Sequence, residues 1–104
     1  MSGLVETVIK VLHEYIDVAL KRDPREVARE VFEGIRYFGE ATRKYIEANW
    51  DTIMHYIADP SNTLELIKER DPIVYKKLIQ NIDWLNKFFM ELYTLIYYWV
   101  KGEE

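Results

Sequence analysis

Residues 72–101 read PIVYKKLIQNIDWLNKFFMELYTLIYYWVK, and the spacing of their apolar side chains decides the fold class. Tyr75, Leu78, Ile82, Leu85, Phe89, Leu92, Ile96 and Trp99 follow at alternating steps of three and four. That is the period of a helix with one buried seam, not the alternation of a strand. Flanking positions are apolar too, with Val74, Phe88 and Leu95 on one side and Ile79, Tyr93 and Val100 on the other. A helix apolar over so much of its circumference touches more than one neighbour, so residues 88–100 are expected to cover two helices at once. The run FFMELYTLIYYWV, 88–100, has 13 residues and only Glu91 and Thr94 as polar residues besides its tyrosines. It falls short of the roughly 20 residues a bilayer requires, and extending it upstream brings in Asp83, Asn86 and Lys87. No membrane span is expected.

Working outward, the chain is punctuated by three prolines, each preceded by aspartate: Asp23-Pro24, Asp59-Pro60 and Asp71-Pro72. Each pair reads as a helix stop followed by a start. In the first and third pairs Asp serves as N-cap with Pro at the first helical position, and Glu26 completes a capping box in the first. Asn62-Thr63-Leu64-Glu65 offers the same box after Pro60. No hairpin signal occurs. The prediction is an all-α antiparallel helical bundle, one domain over 1–104, with helices at about 4–21, 24–58, 62–70 and 72–101. Three are long and one is short, and coiled-coil-like packing joins them. The connections at Arg22-Asp23 and Arg70-Asp71 favour antiparallel neighbours. The second and fourth helices would be about 50 and 45 Å long and the first about 27 Å, leaving a groove between the far halves of the long pair. The order short helix, Arg-Asp-Pro, long helix occurs twice, but side chains beyond the triplets match poorly, so no internal repeat is inferred.

A chain of 104 residues with 49% hydrophobic and 31% charged residues has the profile of a folded domain, not of a disordered segment. The absence of cysteine excludes disulfides, thiolate metal sites and a cysteine nucleophile. A net charge of -4 argues against a dedicated nucleic-acid binder, which carries a basic face. The N-terminal stretch is interrupted by charges every few residues and does not read as a signal peptide, so a cytoplasmic location is expected. Abundant Glu, Lys, Ile and Tyr with a single glutamine, Gln80, point towards a thermophile-like composition.

The second helix carries arginines at 22, 29, 36 and 43 and glutamates at 26, 33, 40 and 47. Interleaved at steps of four and three, they form an ion ladder strong enough to offset Gly34 and Gly39 in a helix interior. A continuous helix is therefore expected, with a kink near Gly34–Gly39 as the alternative. The glutamates also cancel the field of the arginine stripe. Gly34, Ala41 and Ala48 recur every seven residues and would allow close approach of another helix.

Enzyme chemistry finds no support. No glycine-rich phosphate loop, zinc-protease motif or calcium loop is present, and neither Ser2 nor Ser61 belongs to a triad pattern. Asp51, His55 and Asp59 are four apart, but the Glu-x-x-His spacing of di-iron bundles is missing. His13, at the edge of an apolar face, is expected to be hydrogen-bonded, and Asp83 and Glu91 look solvated. No cofactor or metal is expected. Trp84, Met90, Tyr97 and Tyr98 lie away from the heptad seam, and aromatic and Met side chains on a polar face mark an interface. The reading is a non-catalytic interaction protein that self-associates or binds a partner helix there. One alternative is a nucleic-acid accessory domain using Lys68, Arg70, Lys76 and Lys77 around the Asp71-Pro72 turn. Another is a carrier or sensor of an apolar ligand held between the helices.

Overall fold

The structure, a computed structural model, describes the backbone of residues 2–102 and the side chains of residues 9–102. Seven α-helices stand among the described residues: α1 (Ser2–Ala19), α2 (Pro24–Tyr37), α3 (Glu40–Ala48), α4 (Trp50–Ile57), α5 (Pro60–Arg70), α6 (Pro72–Ile79) and α7 (Ile82–Lys101). The all-α class follows from the sequence, and each Asp-Pro pair opens a helix. Asp23 accepts from the Arg25 amide at 3.0 Å, Asp59 from the Ser61 amide at 3.1 Å and Asp71 from the Val74 amide at 3.2 Å. Asp59 thus caps α5 three residues before the Asn62 box expected there.

The division into three long helices and one short one is where the structure departs from the sequence reading. The segment 24–58 is three helices and 72–101 is two. A straight helix over 24–58 would measure about 50 Å, longer than the 39 Å greatest extent of the molecule. The first break is at Gly39, with φ 86° and ψ -159°, a region open essentially to glycine alone. The next two are at asparagines. Asn49 donates from Nδ2 to the Tyr45 carbonyl at 2.9 Å, and Asn81 does the same to the Lys77 carbonyl at 2.8 Å. In both, the side chain reaches back four residues and competes with the backbone for a helical acceptor.

The packing direction also differs from the antiparallel arrangement expected throughout. Trp84 Nε1 donates to the Arg22 carbonyl at 2.8 Å, a separation of 62 residues, and Arg29 Nε donates to Glu91 at 3.2 Å with the same separation. Farther along, Phe32 meets Trp99 edge-on at 5.8 Å. Partners advance together along both chains, so α2 and α7 run parallel. The same holds for α1 and α6, joined by His13–Asp71 at 2.7 Å and Lys77–Asp17 at 3.0 Å. The short connection at Arg22-Asp23 therefore turns the chain without folding α1 back on α2. The one at Arg70-Asp71 does make an antiparallel pair, with Lys68 lying 5.5 Å over the Tyr75 ring. The chain returns along α7 through α3 and α4: Arg43 donates to the Val100 carbonyl at 3.2 Å, and Trp50 lies 6.0 Å from Tyr97.

Two apolar cores result, both sharing α7. One joins Ala28, Phe32, Ile46 and Met54 to Leu92, Ile96 and Val100; the other joins Ile16, Leu64, Ile67, Val74 and Leu78 to Leu85. Of the heptad seam only Ile82 is exposed, because it is the first residue of α7 at the Asn81 corner. Close helix approach occurs at Ala28, fully buried, while Gly34, Ala41 and Ala48 face solvent. No buried side-chain nitrogen or oxygen among the described residues lacks a partner.

Gly34 and Gly39 should respond oppositely to alanine. A Cβ at either meets nothing within 4 Å, so backbone alone decides. Gly39→Ala should destabilise by about 1–3 kcal/mol through its positive φ, whereas Gly34→Ala, in a helix interior, should stabilise by up to about 1 kcal/mol. Urea midpoints of the two variants check this.

Asp71 makes stability pH-dependent. Burial pushes its carboxyl up, but hydrogen bonds from His13 and from the Val74 and Ile73 amides outweigh this and hold it below the usual value. A carboxylate depressed in the folded state stabilises fully above its unfolded pKa of about 3.9, and that stabilisation disappears as pH falls through the lower folded value. Asp71→Asn should therefore be less stable than the parent at neutral pH, with the gap closing as the solution is acidified below that range. Chemical denaturation of both proteins across the acid range measures it.

Candidate functional site

The outer face of α7 is set by what the other helices leave uncovered. Asp83, Lys87, Met90, Thr94, Tyr97 and Lys101 succeed one another at steps of three and four, and all are exposed; Asn86 and Tyr98 flank them. Met90 is 66% exposed and Tyr98 53%. Tyr97 is held against neighbouring rings, 6.0 Å from Tyr93 and 5.6 Å from Tyr98. Lys101 lies 4.6 Å over the Trp50 ring, anchoring the far end of the stripe. Beside Met90 a groove of about 400 Å³ runs between α7 and the α4–α5 corner, where Ile57, Ala58 and Pro60 form the opposite wall.

Three of the four residues assigned to this interface from the sequence thus come together: Met90, Tyr97 and Tyr98. Trp84 does not join them. It is half-buried, stacked on Phe88 at 5.4 Å with nearly parallel rings, and its indole N–H is engaged by the Arg22 carbonyl. Because α2 lies parallel to α7, it covers the flank that carries Trp84, Phe88 and Glu91.

The basic residues around the Asp71-Pro72 turn are divided in the same way. Lys68 rests over Tyr75 and Lys77 is paired with Asp17, while Arg70 and Lys76 point to solvent. The arginine ladder is realised in pieces: Arg36 pairs with Glu33 and Arg43 with Glu40, but Arg29 crosses to Glu91. Arg22 forms a two-pronged pair with Glu30 and also reaches Glu26.

Several carboxyl groups are shifted, all downward. A hydrogen bond from Arg22 lowers Glu30, one from Arg43 lowers Glu40, and the Ser61 hydroxyl and amide lower Asp59; Asp71 is lowered as described. These shifts keep the groups ionised, opposite to what a general acid near neutral pH needs. His13, the edge residue, donates to Asp71, since an ionised carboxylate can only accept. The Asn62 amide donates to the His55 carbonyl at 2.7 Å. Among the described residues no three His, Asp or Glu side chains converge on a point that could hold a metal. Asp83 and Glu91 face different ways, one on the outer stripe and the other towards Arg29. Ser2 lies outside the described side chains. No helix among the described residues is long and apolar enough to cross a membrane.

A second concave feature lies where the two cores meet, an apolar pocket of about 330 Å³ between α1, α2, α5, α6 and α7. The pocket opens to solvent past Val31, 39% exposed. Heptad reading alone could not find this pocket, because it arises from the parallel placement of α2. Comparisons with protein-family models, with curated proteins and with solved structures find no match to this chain.

Proposed function

We propose that this chain is a non-catalytic helical assembly protein that pairs with a second copy of itself through the outer face of α7. The observation that carries the reading is the order of side chains along that face, which is self-complementary about Leu92. Two copies of α7 crossing antiparallel at Leu92 put Asp83 of one opposite Lys101 of the other. Lys87 then faces Tyr97, Met90 faces Thr94, and Asn86 faces Tyr98. Each relation occurs twice, as a two-fold interface requires. The terminal pairs are ionic, the next pair brings an ammonium to an aromatic ring, and Met90 lies near the centre, where apolar contact contributes most. The groove between Met90 and the α4–α5 corner widens the contact beyond a single helix.

Light scattering after size exclusion, over a wide range of concentration, should give a dimer that dissociates on dilution. Met90→Glu should abolish it. Asp83→Lys places like charges together at both ends and should weaken the dimer by about tenfold, the combined effect of two exposed pairs. Asp83→Lys combined with Lys101→Asp should restore it. A parent protein monomeric at every concentration, or a double exchange that fails to restore pairing in a folded protein, would refute the reading.

A further inference from the structure

The pocket at the junction of the two cores is independent of the α7 outer face, and its walls specify a chemistry. Ile16, Val27, Val31, Leu64, Leu78 and Leu85 supply hydrocarbon from five different helices. Two lining side chains carry a polar atom, and both are turned to backbone acceptors: the Thr63 hydroxyl donates to the Tyr56 carbonyl at 2.7 Å, and the Trp84 indole donates to the Arg22 carbonyl at 2.8 Å. The wall therefore presents only aliphatic groups and aromatic surface. It has no free donor or acceptor with which to order water or to hold a charged or strongly polar group.

We infer that this pocket is a binding site for a small, uncharged, hydrocarbon-like molecule. Size narrows the class. A dry cavity of about 150 Å³ with such a lining takes up benzene, and this one is about 330 Å³, within the range of ligand sites. It suits a fused bicyclic ring or an alkyl segment of similar bulk. Val31 at the rim gives a path of entry from solvent. Thr63 and Trp84 are positioning residues: by tying their polar atoms to the end of α4 and to the turn between α1 and α2, they keep the wall apolar.

The test uses naphthalene as the probe on the full chain, with the Ile, Leu and Val methyl groups followed by NMR. Saturable shifts are expected at Val27, Val31, Leu64 and Leu85, with none at Ile46 in the other core, and a rise in Tm with ligand concentration. 2-Naphthoate, with the same fused rings but charged, should bind at least about tenfold more weakly. Ala19→Leu projects bulk into the pocket from the end of α1 and should reduce naphthalene affinity by at least about tenfold, while unliganded Tm stays equal or rises. Should Ala19→Leu not fold, Val31→Phe fills the rim from a partly exposed position and should give the same loss. Absence of methyl shifts up to the solubility limit of naphthalene would overturn the inference. So would shifts confined to the α7 outer face, or undiminished binding in a folded filling variant.

Discussion

Two helices that lie side by side and point the same way cannot be joined by a tight turn; the chain must travel back the length of the pair before the second can begin. That constraint, imposed by the parallel contact of α2 with α7, organises the molecule. The contact is fixed at its start by one hydrogen bond. The chain leaves helical geometry between α1 and α2, the Arg22 carbonyl is left without a helical partner, and the Trp84 indole supplies one. Seven residues farther along each helix, Arg29 and Glu91 hold the same register, and Phe32 closes on Trp99. Everything between Tyr37 and Ile82 is return path, and its division into short helices lets it follow the outside of α7 and then turn under α1.

The return path explains why α7 is apolar nearly all round. α2 covers one flank, α3 and α4 cover the opposite one, and α5 closes the end nearest Asn81, so one stripe is left to solvent. Surplus apolar character in the last helix is mostly core, and what remains outside is narrow, aromatic and bounded by charges of opposite sign at Asp83 and Lys101. The same geometry separates the core into two clusters. α7 passes through both, and where they meet the five surrounding helices do not quite close.

The sequence made the class of fold legible because helix period and Asp-Pro punctuation are local properties: the seam from Leu78 to Trp99 and the three aspartate caps need no knowledge of the rest of the chain. Gly39 was legible only as an alternative, since the weak pairing of exposed charges could not hold a helix through a residue free to take positive φ. The breaks at Asn49 and Asn81 were harder to see. Asparagine is tolerated within helices, and whether its amide turns back to a carbonyl four residues earlier depends on where the next segment must go. Direction was least legible of all. A short connection ending in Asp-Pro reads alike in sequence whether it folds one helix back on another, as at Asp71 between α5 and α6, or swings it away, as over residues 20–23 between α1 and α2. Trp84 was misplaced for that reason: its angular position around α7 was read correctly, but which side of α7 would be covered depended on the unseen direction of α2. Met90, Tyr97 and Tyr98 fell on the side that no element claims.

Parallel pairing at a separation of 62 residues also bears on how the protein is made. A helix in an up-and-down bundle meets its neighbour almost as soon as both have been synthesised. Here Ala28 and Phe32 emerge long before Leu92, Ile96 and Val100, the surfaces that bury them. At 5–20 residues per second, that interval is about 3–12 s, far longer than the sub-microsecond to microsecond time in which a helix itself forms. For those seconds the apolar side chains of α2 lack the α7 surface that buries them, and a segment of 14 residues is only marginally helical by itself. During translation, then, the nascent chain passes through a stage in which the apolar residues of α2 are open to chaperones and to other nascent chains alike.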